Sequence, residues 1–424
     1  MHRILYTLLL YLFVPLVILR LIWRGLKAPA YLHRWNERFG ILPFRIDRGS
    51  IWVHAVSVGE AQAALPLINA LIEKYPELPV IVTTTTPTGS NQVQNSLTGK
   101  VYHCYMPYDL PGSVKRFLAR AMPRVAIIME TELWPNLYSL CVSREIPIIV
   151  ANARISERSA KKYLRFSTLT AQTVNHASRL IMQGNEDARR MVNLGANQDR
   201  VSVSGNIKFD LQLPESLHEQ AASLRRSWGQ QRAVWIAAST HEGEDEQILA
   251  AFSTVKERVN NALLILVPRH PERFGEVSDL CCQSGFKVIR RSDQVDCDEC
   301  VDVFVGDTMG ELRLFYAAAD VAFVGGSLVP VGGHNVLEPA ALKKPVVFGP
   351  HMFNFAEIAR MLLNADAAQQ IENSHELASA ITALLVDVEL RAQLGEKAGQ
   401  IVDSNRGALA KTMGIISNYI DHYD

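Results

Sequence analysis

Residues 50–75, "SIWVHAVSVGEAQAALPLINALIEKY", join two patterns that predict different secondary structures. The first, at 50–57, is rich in β-branched and apolar residues and is typical of a buried strand. The second, at 59–75, repeats apolar residues at helical spacing. Glu60 stands where the strand pattern gives way to the helix. Its carboxylate is therefore either a helix-start acid, favoured by the helix dipole, or a catalytic base at a strand end.

The same alternation of apolar runs and helical patterns recurs along the chain. Strands that are apolar on both faces and are separated by helices predict a parallel sheet covered by helices. Residues 208–230 have little strand character and predict an interdomain linker with a helix, so two successive α/β domains are expected. Functional groups should then lie at the C-terminal ends of the strands. The other predicted strands are 79–86, 125–130, 146–152, 179–184, 233–240, 262–269, 286–291, 301–307, 321–327 and 344–350.

The bulk composition agrees with an ordinary folded protein of two domains. The chain has 424 residues, with 48% hydrophobic and 20% charged residues, which argues against disorder. A net charge of zero argues against a dedicated nucleic-acid binder. Six cysteines are too few for a disulfide scaffold. Cys297 and Cys300 have C-x-x-C spacing, but no second pair completes a zinc site, so we expect no metal there.

The N-terminus is suited to a membrane. Residues 4–23 are apolar except for Thr7 and Arg20, and about 20 such residues span a bilayer core as a helix. More arginines follow this segment than precede it, which predicts that the main body lies in the cytoplasm. A cleaved signal peptide and a helix lying in the membrane interface are the alternatives.

A glycine-rich stretch in the second half suits a nucleotide. "VGGSLVPVGGHNVLEPAA" (324–341) leaves a strand through two glycine pairs and is expected to enter a helix near His334 and Asn335. Glycines allow close approach of a ligand, and a helix N-terminus offers free N–H groups to a phosphate. Glu338 lies on the same helical face as Asn335 and suits a ribose. The alternative is a glycine turn with a helix-start acid.

Three other strand ends carry candidate binding groups. Arg269 and His270 in "VPRHPERF" suit a phosphate, unless Arg269 pairs with Glu272. In "ASTHEGED" (238–245), Glu242 and Glu244 are expected to be dipole partners of a helix. "GDTMGEL" places backbone amides of Met309, Gly310 and Glu311 where they could read the edge of a base.

The chain lacks a P-loop, a G-x-G-x-x-G after the first strand and a G-x-S-x-G elbow, which argues against ATPases, nicotinamide enzymes and serine hydrolases.

Taken in order, these motifs resemble the 3-deoxy-D-manno-octulosonic acid (Kdo) transferases of lipopolysaccharide synthesis. The resemblance also includes "TTTTPTGS", "METELWPN", "NARISERS" and "GNIKFD" and runs over essentially the whole chain. It implies a GT-B fold, in which two Rossmann-like domains face each other across a cleft. The implied parts are an N-terminal membrane anchor at 1–27, an acceptor-binding domain at 28–212 and a donor-binding domain at 213–424, with the last helix crossing back to the first domain.

The resemblance further implies transfer of Kdo from CMP-Kdo to lipid IVA with inversion, without a metal or other cofactor, at the cytoplasmic face of the inner membrane. The other readings are a GT-B transferase or epimerase that uses a UDP-sugar, and an exported two-domain binding protein.

Roles for single residues follow from the matching motifs. Glu60 would be the general base, and Glu130 or Glu132 would position the acceptor or the sugar. Lys208 would bind the Kdo carboxylate or the phosphate, unless it is a hinge lysine paired to Asp210. Arg34 or Arg38, beside the anchor, would pair with acceptor phosphates, unless both belong to an ordinary juxtamembrane basic flank. The donor contacts implied are Arg269, Gly310, Asn335 and Glu338, followed by Met309, Glu311, Ser239, Thr240, Ser327 and His270.

Overall fold

The computed structural model describes residues 2–27, 29–295 and 297–422. The expected domain limits at residues 1, 28 and 424 lie outside these ranges. The chain divides into two compact units, one running to Asp210 and resuming at Asn405, the other comprising Leu211–Ser404. Each unit contains a parallel sheet of seven strands. The predicted α/β class with two parallel sheets is therefore confirmed.

The sheet of the first unit has the strand order β3-β2-β1-β4-β5-β6-β7. β1 is buried along its whole length, with Trp52 in the core on one face and Ile51 and Val53 in the core on the other. Each such side chain contributes about 1.5–3 kcal/mol when fully buried. The order reverses between β1 and β4, and ligands of open α/β sheets bind at such a switch point. The strands are β1 Ser50–His54, β2 Val80–Thr84, β3 Tyr102–Tyr105, β4 Pro123–Met129, β5 Ile148–Ala153, β6 Arg179–Met182 and β7 Val201–Val203.

Helices cover both faces of this sheet. The helix that follows β1 begins where the hydroxyl of Ser57 accepts the N–H of Glu60, and it buries Ala64, Leu67 and Leu71 against the strands. The helices, in chain order, are α1 His2–Lys27, α2 Trp35–Arg38, α3 Val58–Lys74, α4 Pro87–Ser96, α5 Pro111–Ala121, α6 Pro135–Val142, α7 Glu157–Leu164, α8 Ser167–Val174 and α9 Asn185–Asn193.

The sheet of the second unit has the order β10-β11-β9-β8-β12-β13-β14, with its reversal between β8 and β12. β8 is buried throughout. Its strands are β8 Val234–Thr240, β9 Leu263–Pro268, β10 Val288–Arg290, β11 Val303–Val305, β12 Val321–Val324, β13 Val346–Phe348 and β14 Ala368–Gln370. Its helices are α10 Leu217–Trp228, α11 Asp245–Arg258, α12 Phe274–Gln283, α13 Leu312–Ala318, α14 Leu337–Ala341, α15 Ala356–Asn364, α16 Ser374–Val386 and α17 Val388–Ser404.

The last helix, α18 (Ala408–Asp421), is part of the first unit. Ile416 and Ile420 lie in the same core cluster as β1 and α3. The ammonium of Lys74 donates to the hydroxyl of Ser417 over 2.6 Å. The carboxylate of Asp210 accepts the N–H groups of Gly407 and Leu409, at 2.6 and 2.7 Å. The chain thus returns to the first unit through an acid that caps its final helix.

Helix α1 is the one described helix that is long and apolar enough to cross a membrane, by length and composition. A signal sequence has the same two properties. The hydroxyl of Tyr6 donates to Asp109 over 3.1 Å, and that of Thr7 donates to Asn136 over 2.9 Å. Most of the large apolar side chains of α1 are exposed, among them Leu8, Leu12 and Leu16.

Candidate active site

Three carboxylates meet at the carboxyl edge of the first sheet. Glu60 follows β1, and Glu130 and Glu132 follow the neighbouring strand β4, so they lie on either side of the switch point. Each of the three side chains is partly buried. The negative charge of Glu130 acts on Glu60, and the charges of Glu60 and Glu130 act on Glu132. The structure thus brings together three residues that the sequence placed on two separate motifs.

Glu60 has the contacts of a helix-start acid. Its Oε2 accepts the backbone N–H of Val56 over 2.8 Å, and its Oε1 lies 3.3 Å from the hydroxyl of Ser57. These bonds orient the carboxylate but use only part of its capacity, because an ionised carboxylate accepts about four hydrogen bonds. Gly59, beside it, is exposed, and a Cβ there would meet only the Ser57 hydroxyl, at 3.9 Å. Open space therefore lies next to the carboxylate.

The environment of Glu60 favours a proton-accepting role near neutral pH. Burial raises the pKa of Glu60 to about 7, the charge of Glu130 adds to the rise, and the N–H of Val56 opposes it. Burial, followed by the charges of Glu60 and Glu130, likewise raises the pKa of Glu132 to about 7. A carboxylate with a pKa near the working pH is suited to general base catalysis.

Glu130 and Glu132 are not in a strand, because β4 ends at Met129. The alternation of sides expected for strand residues therefore does not apply to them. Glu130 has a left-handed backbone, with φ of 53°, and its Oε2 pairs with Arg154 at 2.9 Å. Glu130 is thus committed to an ion pair, whereas Glu132 retains a raised pKa inside the cluster.

Lys208 lies at the same edge of the sheet. It is in a 3-10 helix, Ile207–Phe209, which contacts α3, and the side chain of Asn152 accepts the N–H of Ile207. Asp210, the alternative partner of Lys208, caps α18 with both carboxylate oxygens. The lysine therefore comes from a segment held against the helix of Glu60.

Arg38 is not on the surface, so the expected pairing of this residue with acceptor phosphates is wrong. It is only 3% exposed, its Nη2 donates to the carbonyl of Thr85, and its guanidinium lies 4.3 Å from the ring centre of Tyr105. Arg34 pairs with Glu37 at 2.7 Å and donates to the carbonyl of His103. Both arginines fasten α2 to the sheet.

In the second unit, a buried glutamate occupies the glycine loop. The carboxylate of Glu244, at the start of α11, is fully buried. Its Oε2 accepts the N–H groups of His241 and Gly326, at 3.0 and 2.6 Å. Its Oε1 accepts those of Ser327 and Leu328, at 2.9 and 2.8 Å. The amides at the first glycine pair of the loop are therefore taken by a carboxylate of the chain itself.

The helix after the glycine loop also differs from the expected one. It begins at Leu337 rather than near His334 and has five residues. The side chain of Asn335 accepts the N–H of Leu337 over 3.0 Å. The carboxylate of Glu338, one residue into the helix, pairs with Arg313 at 3.0 Å. Asn335 and Glu338 remain partly exposed.

Two hydroxyls among the donor candidates are used by the protein. Ser327 is fully buried, and its hydroxyl donates to the carbonyl of Val324 and accepts the N–H of Gly349. Thr240 is fully buried and donates to Asp245 over 2.6 Å. Ser239 has a left-handed backbone, with φ of 60°. The structure places the side chains of Ser327 and Thr240 where they hold loops rather than face a ligand.

The remaining donor candidates are exposed or paired. Arg269 and His270 are exposed after β9, and no ion pair joins Arg269 to Glu272 within the described ranges. Met309 is 68% exposed, and Gly310 has φ of +88°. The carboxylate of Glu311 is bound by Arg291, at 2.9 Å, and by the hydroxyl of Thr308. In the loop of Met309, Gly310 and Glu311, the carboxylate of Glu311 is thus paired, and the backbone of Met309 and Gly310 is open to a base.

Comparison with known proteins identifies the family. The sequence-family model of the 3-deoxy-D-manno-octulosonic acid transferases matches residues 33–211, and that of the glycosyl transferases group 1 matches residues 234–400. A 3-deoxy-D-manno-octulosonic acid transferase of Haemophilus influenzae is 42% identical over 424 residues, which cover 99% of each chain. One of Bordetella pertussis is 34% identical over 99% of this chain and 100% of its own. This chain belongs to the Kdo transferase family.

The Kdo transferase also has the expected GT-B fold. UDP-GlcNAc 2-epimerase of Neisseria meningitidis matches 88% of this chain and 99% of its own, with a TM-score of 0.56 and 12% identity. The structure of Anabaena Alr3699/HepE matches 88% of this chain and 100% of its own, with a TM-score of 0.54 and 14% identity. At these identities the likeness shows the fold alone. Membership of the family makes the chain a glycosyltransferase and excludes the exported binding protein.

Two features of this Kdo transferase were not found from the sequence. Glu244 was predicted to be a dipole partner, but its main partners are amides of a loop more than 80 residues away in the chain. His241 was not singled out, yet its Nε2 lies 2.8 Å from that of His334. A signal was present for both, since "THEGED" concentrates polar groups at the end of the central strand β8.

Proposed function

We propose that the protein transfers Kdo from CMP-Kdo to a sugar hydroxyl of lipid IVA, with inversion at the anomeric carbon. The observation that carries the proposal is the carboxylate of Glu60, whose pKa is raised to about 7 beside open space at Gly59. The acceptor hydroxyl would donate its hydrogen bond to Glu60. The proton passes to this carboxylate as the hydroxyl oxygen bonds to the anomeric carbon, while the bond to the CMP phosphate breaks.

The neighbouring carboxylates would tune this base. Glu130 and Glu132 add negative charge around Glu60, which disfavours its ionised form and strengthens it as a base. Arg154 neutralises Glu130, so the cluster does not carry three unpaired charges. Lys208, from the segment next to α3, would bind the carboxylate of Kdo.

The second unit would hold the donor. Arg269, Asn335 and Glu338 are among the side chains at its sheet edge that retain exposed surface. Arg269 would bind the phosphate through its charge and fork geometry, and Glu338, held by Arg313, would accept the ribose hydroxyls. The backbone around Met309 and Gly310 would read the cytosine edge.

No metal ion is proposed for the transfer. The described residues contain no group of three His, Cys, Asp or Glu side chains arranged to hold one. The charge of the leaving CMP would instead be met by the cationic side chains of the donor site. Activity that survives a chelator such as EDTA would support this, and activity restored only by added Mg²⁺ would refute it.

The membrane would supply the acceptor. Helix α1 exposes large apolar side chains, contains Arg24 near its C-terminal end and is followed by Trp35 of α2. We propose that α1 holds the enzyme at the cytoplasmic face of the inner membrane, where the lipid acceptor lies.

The deciding experiment is an assay of the purified full chain with CMP-Kdo and lipid IVA, with products separated by the number of added sugars. UDP-sugars serve as the control donors. The proposal predicts turnover with CMP-Kdo alone. Turnover of a UDP-sugar and none of CMP-Kdo would overturn the donor assignment.

A further inference from the structure

Two histidines of the second unit form a direct hydrogen bond between their rings. Nε2 of His241 lies 2.8 Å from Nε2 of His334. The ring planes differ by 3° and the ring centres are 5.1 Å apart. That separation equals the nitrogen–nitrogen distance plus the two ring radii, so the rings lie in one plane and point at each other edge to edge. One N–H bridges them, and one ring donates while the other accepts.

The two rings are held in this arrangement by their surroundings. The backbone N–H of His241 donates to the carboxylate of Glu244, which also accepts the backbone N–H of Gly326. The ring of His334 lies against Gly326, where a Cβ would come within 2.9 Å of its Cδ2. Gly326 also has φ of +66°, which disfavours any side chain. The glycine loop is thus shaped around the histidine pair.

The charged groups facing the pair are mostly basic. The loop after β9 contributes Arg269, Arg273 and His270, and the ring of His270 meets that of His241 edge-on, with 5.3 Å between centres. Arg273 is neutralised by Asp245 at the start of α11, next to Glu244. The glycine loop itself, 325–333, has no ionisable side chain, and the segment after β13 that packs on it carries His351.

The pair is therefore uncharged without a ligand. The pKa of His334 is lowered to about 3, chiefly by burial and to a smaller extent by the charges of His241 and Arg269. The pKa of His241 is also lowered, chiefly by burial and to a smaller extent by the charges of His270 and Arg269. Arg269 acts on both rings and is itself exposed, so an anion held by this guanidinium would also act on the histidine pair, near the switch point of the sheet.

We infer that the His241–His334 pair takes up one proton from solvent when the phosphate of a nucleotide binds beside it. This rests on the proposed placement of the donor in the second unit. A phosphate monoester brings about two negative charges, which reverse the field of the arginines. The added proton converts the shared bond into a charge-assisted one between imidazole and imidazolium. The cation offsets the charge that develops on the leaving CMP, and the proton returns to solvent when CMP leaves.

The experiment is calorimetric titration of the full chain with CMP at pH 8, in two buffers with different ionisation enthalpies. At this pH the CMP phosphate is already dianionic, since its second pKa is about 6. The wild-type chain is expected to take up about one proton per CMP bound, and none with cytidine, which lacks the phosphate. His241→Gln and His334→Gln should bind CMP more weakly and without proton uptake. His375→Gln, at the exposed start of α16, is the matched control and should behave as wild type.

The possible outcomes separate this inference from the proposed function. Proton uptake that persists in both variants overturns the inference and leaves the CMP site intact. A wild-type chain that does not bind CMP refutes the proposed function and the inference with it. Should a variant fail to fold, the wild-type affinity decides, because uptake of one proton makes it fall about tenfold per pH unit above neutrality. An affinity independent of pH overturns the inference.

Discussion

The first strand of each sheet ends in a loop that carries a glutamate at the start of a helix, Glu60 after β1 and Glu244 after β8. Both lie at the switch point of their sheets. Glu60 accepts one backbone N–H and keeps exposed surface next to two other carboxylates. Glu244 accepts four backbone N–H groups and is fully buried. The same position in the topology thus holds a loop in the second unit, whereas we propose a chemical role for it in the first, and the number of N–H partners distinguishes the two glutamates.

Glu60→Gln tests this contrast with the largest expected effect. Loss of a general base lowers kcat by about 10²–10⁴-fold, measured with CMP-Kdo and lipid IVA. The fold should survive, because the amide oxygen of Gln can still accept the N–H of Val56. The wild-type carboxylate has a raised pKa in the folded state, so it costs stability as pH rises from about 4.5 through 7. The variant should therefore melt higher than wild type at pH 8, with the gap closing toward pH 4.5. Near-normal turnover would remove Glu60 from the base role.

Glu244→Gln makes the same chemical change at the matching position and should act on stability instead. In the variant, an amide NH₂ replaces one carboxylate oxygen, so it faces backbone N–H groups that need an acceptor. The negative charge that interacts with all four N–H groups is also lost. We expect a loss of about 2–4 kcal/mol in unfolding free energy, with weaker CMP binding. Denaturant unfolding of both glutamine variants, followed side by side, checks the contrast. Equal stability of the two would show that the count of N–H partners does not separate the roles.

Gly59→Ala probes the space beside Glu60. Gly59 is the second residue of α3, where alanine loses less backbone entropy on folding than glycine, and a Cβ there would lie 3.9 Å from the Ser57 hydroxyl, an ordinary contact, so the variant should be at least as stable as the wild type. If the acceptor occupies this space, the added methyl group should lower kcat/KM for lipid IVA by about tenfold while CMP affinity stays unchanged. Gly275→Ala, with equally open surroundings in α12 of the second unit, is the control for activity. Full activity of Gly59→Ala would move the acceptor elsewhere.

Glu130→Gln should give the smallest effect, a shift in the pH profile. Removing this charge, and freeing Arg154 to act on Glu60, lowers the pKa of the base. The acid limb of kcat/KM, expected near pH 7 in the wild-type enzyme, should then move to lower pH. An acid limb that stays in place would show that another group controls it. Glu130→Asp, which keeps the charge, should leave the limb near its wild-type position.

The sequence located the interior of both sheets more reliably than their edges. The predicted runs at 50–57, 125–130 and 233–240 contain or overlap buried central strands. Three strands were missed, β3, β7 and β14, and each lies at the edge of its sheet. Edge strands are short and half exposed, so they lack the apolar runs that mark a strand buried on both faces. "YHCY" at 102–105 shows this, since its first two residues are exposed or partly exposed.

The sequence by itself determined the two α/β units and the family. It placed Glu60, Glu130 and Arg269 at the ends of strands and Glu338 in the helix after the glycine stretch. These features are local, because a pattern of apolar residues and the loop after it lie together in the chain. Tertiary structure alone decided that Glu244 fills the glycine loop and that His241 bonds to His334. Buried N–H groups need hydrogen-bond partners, and here the partners come from segments far apart in the chain. The pairing is therefore set only when those segments pack together.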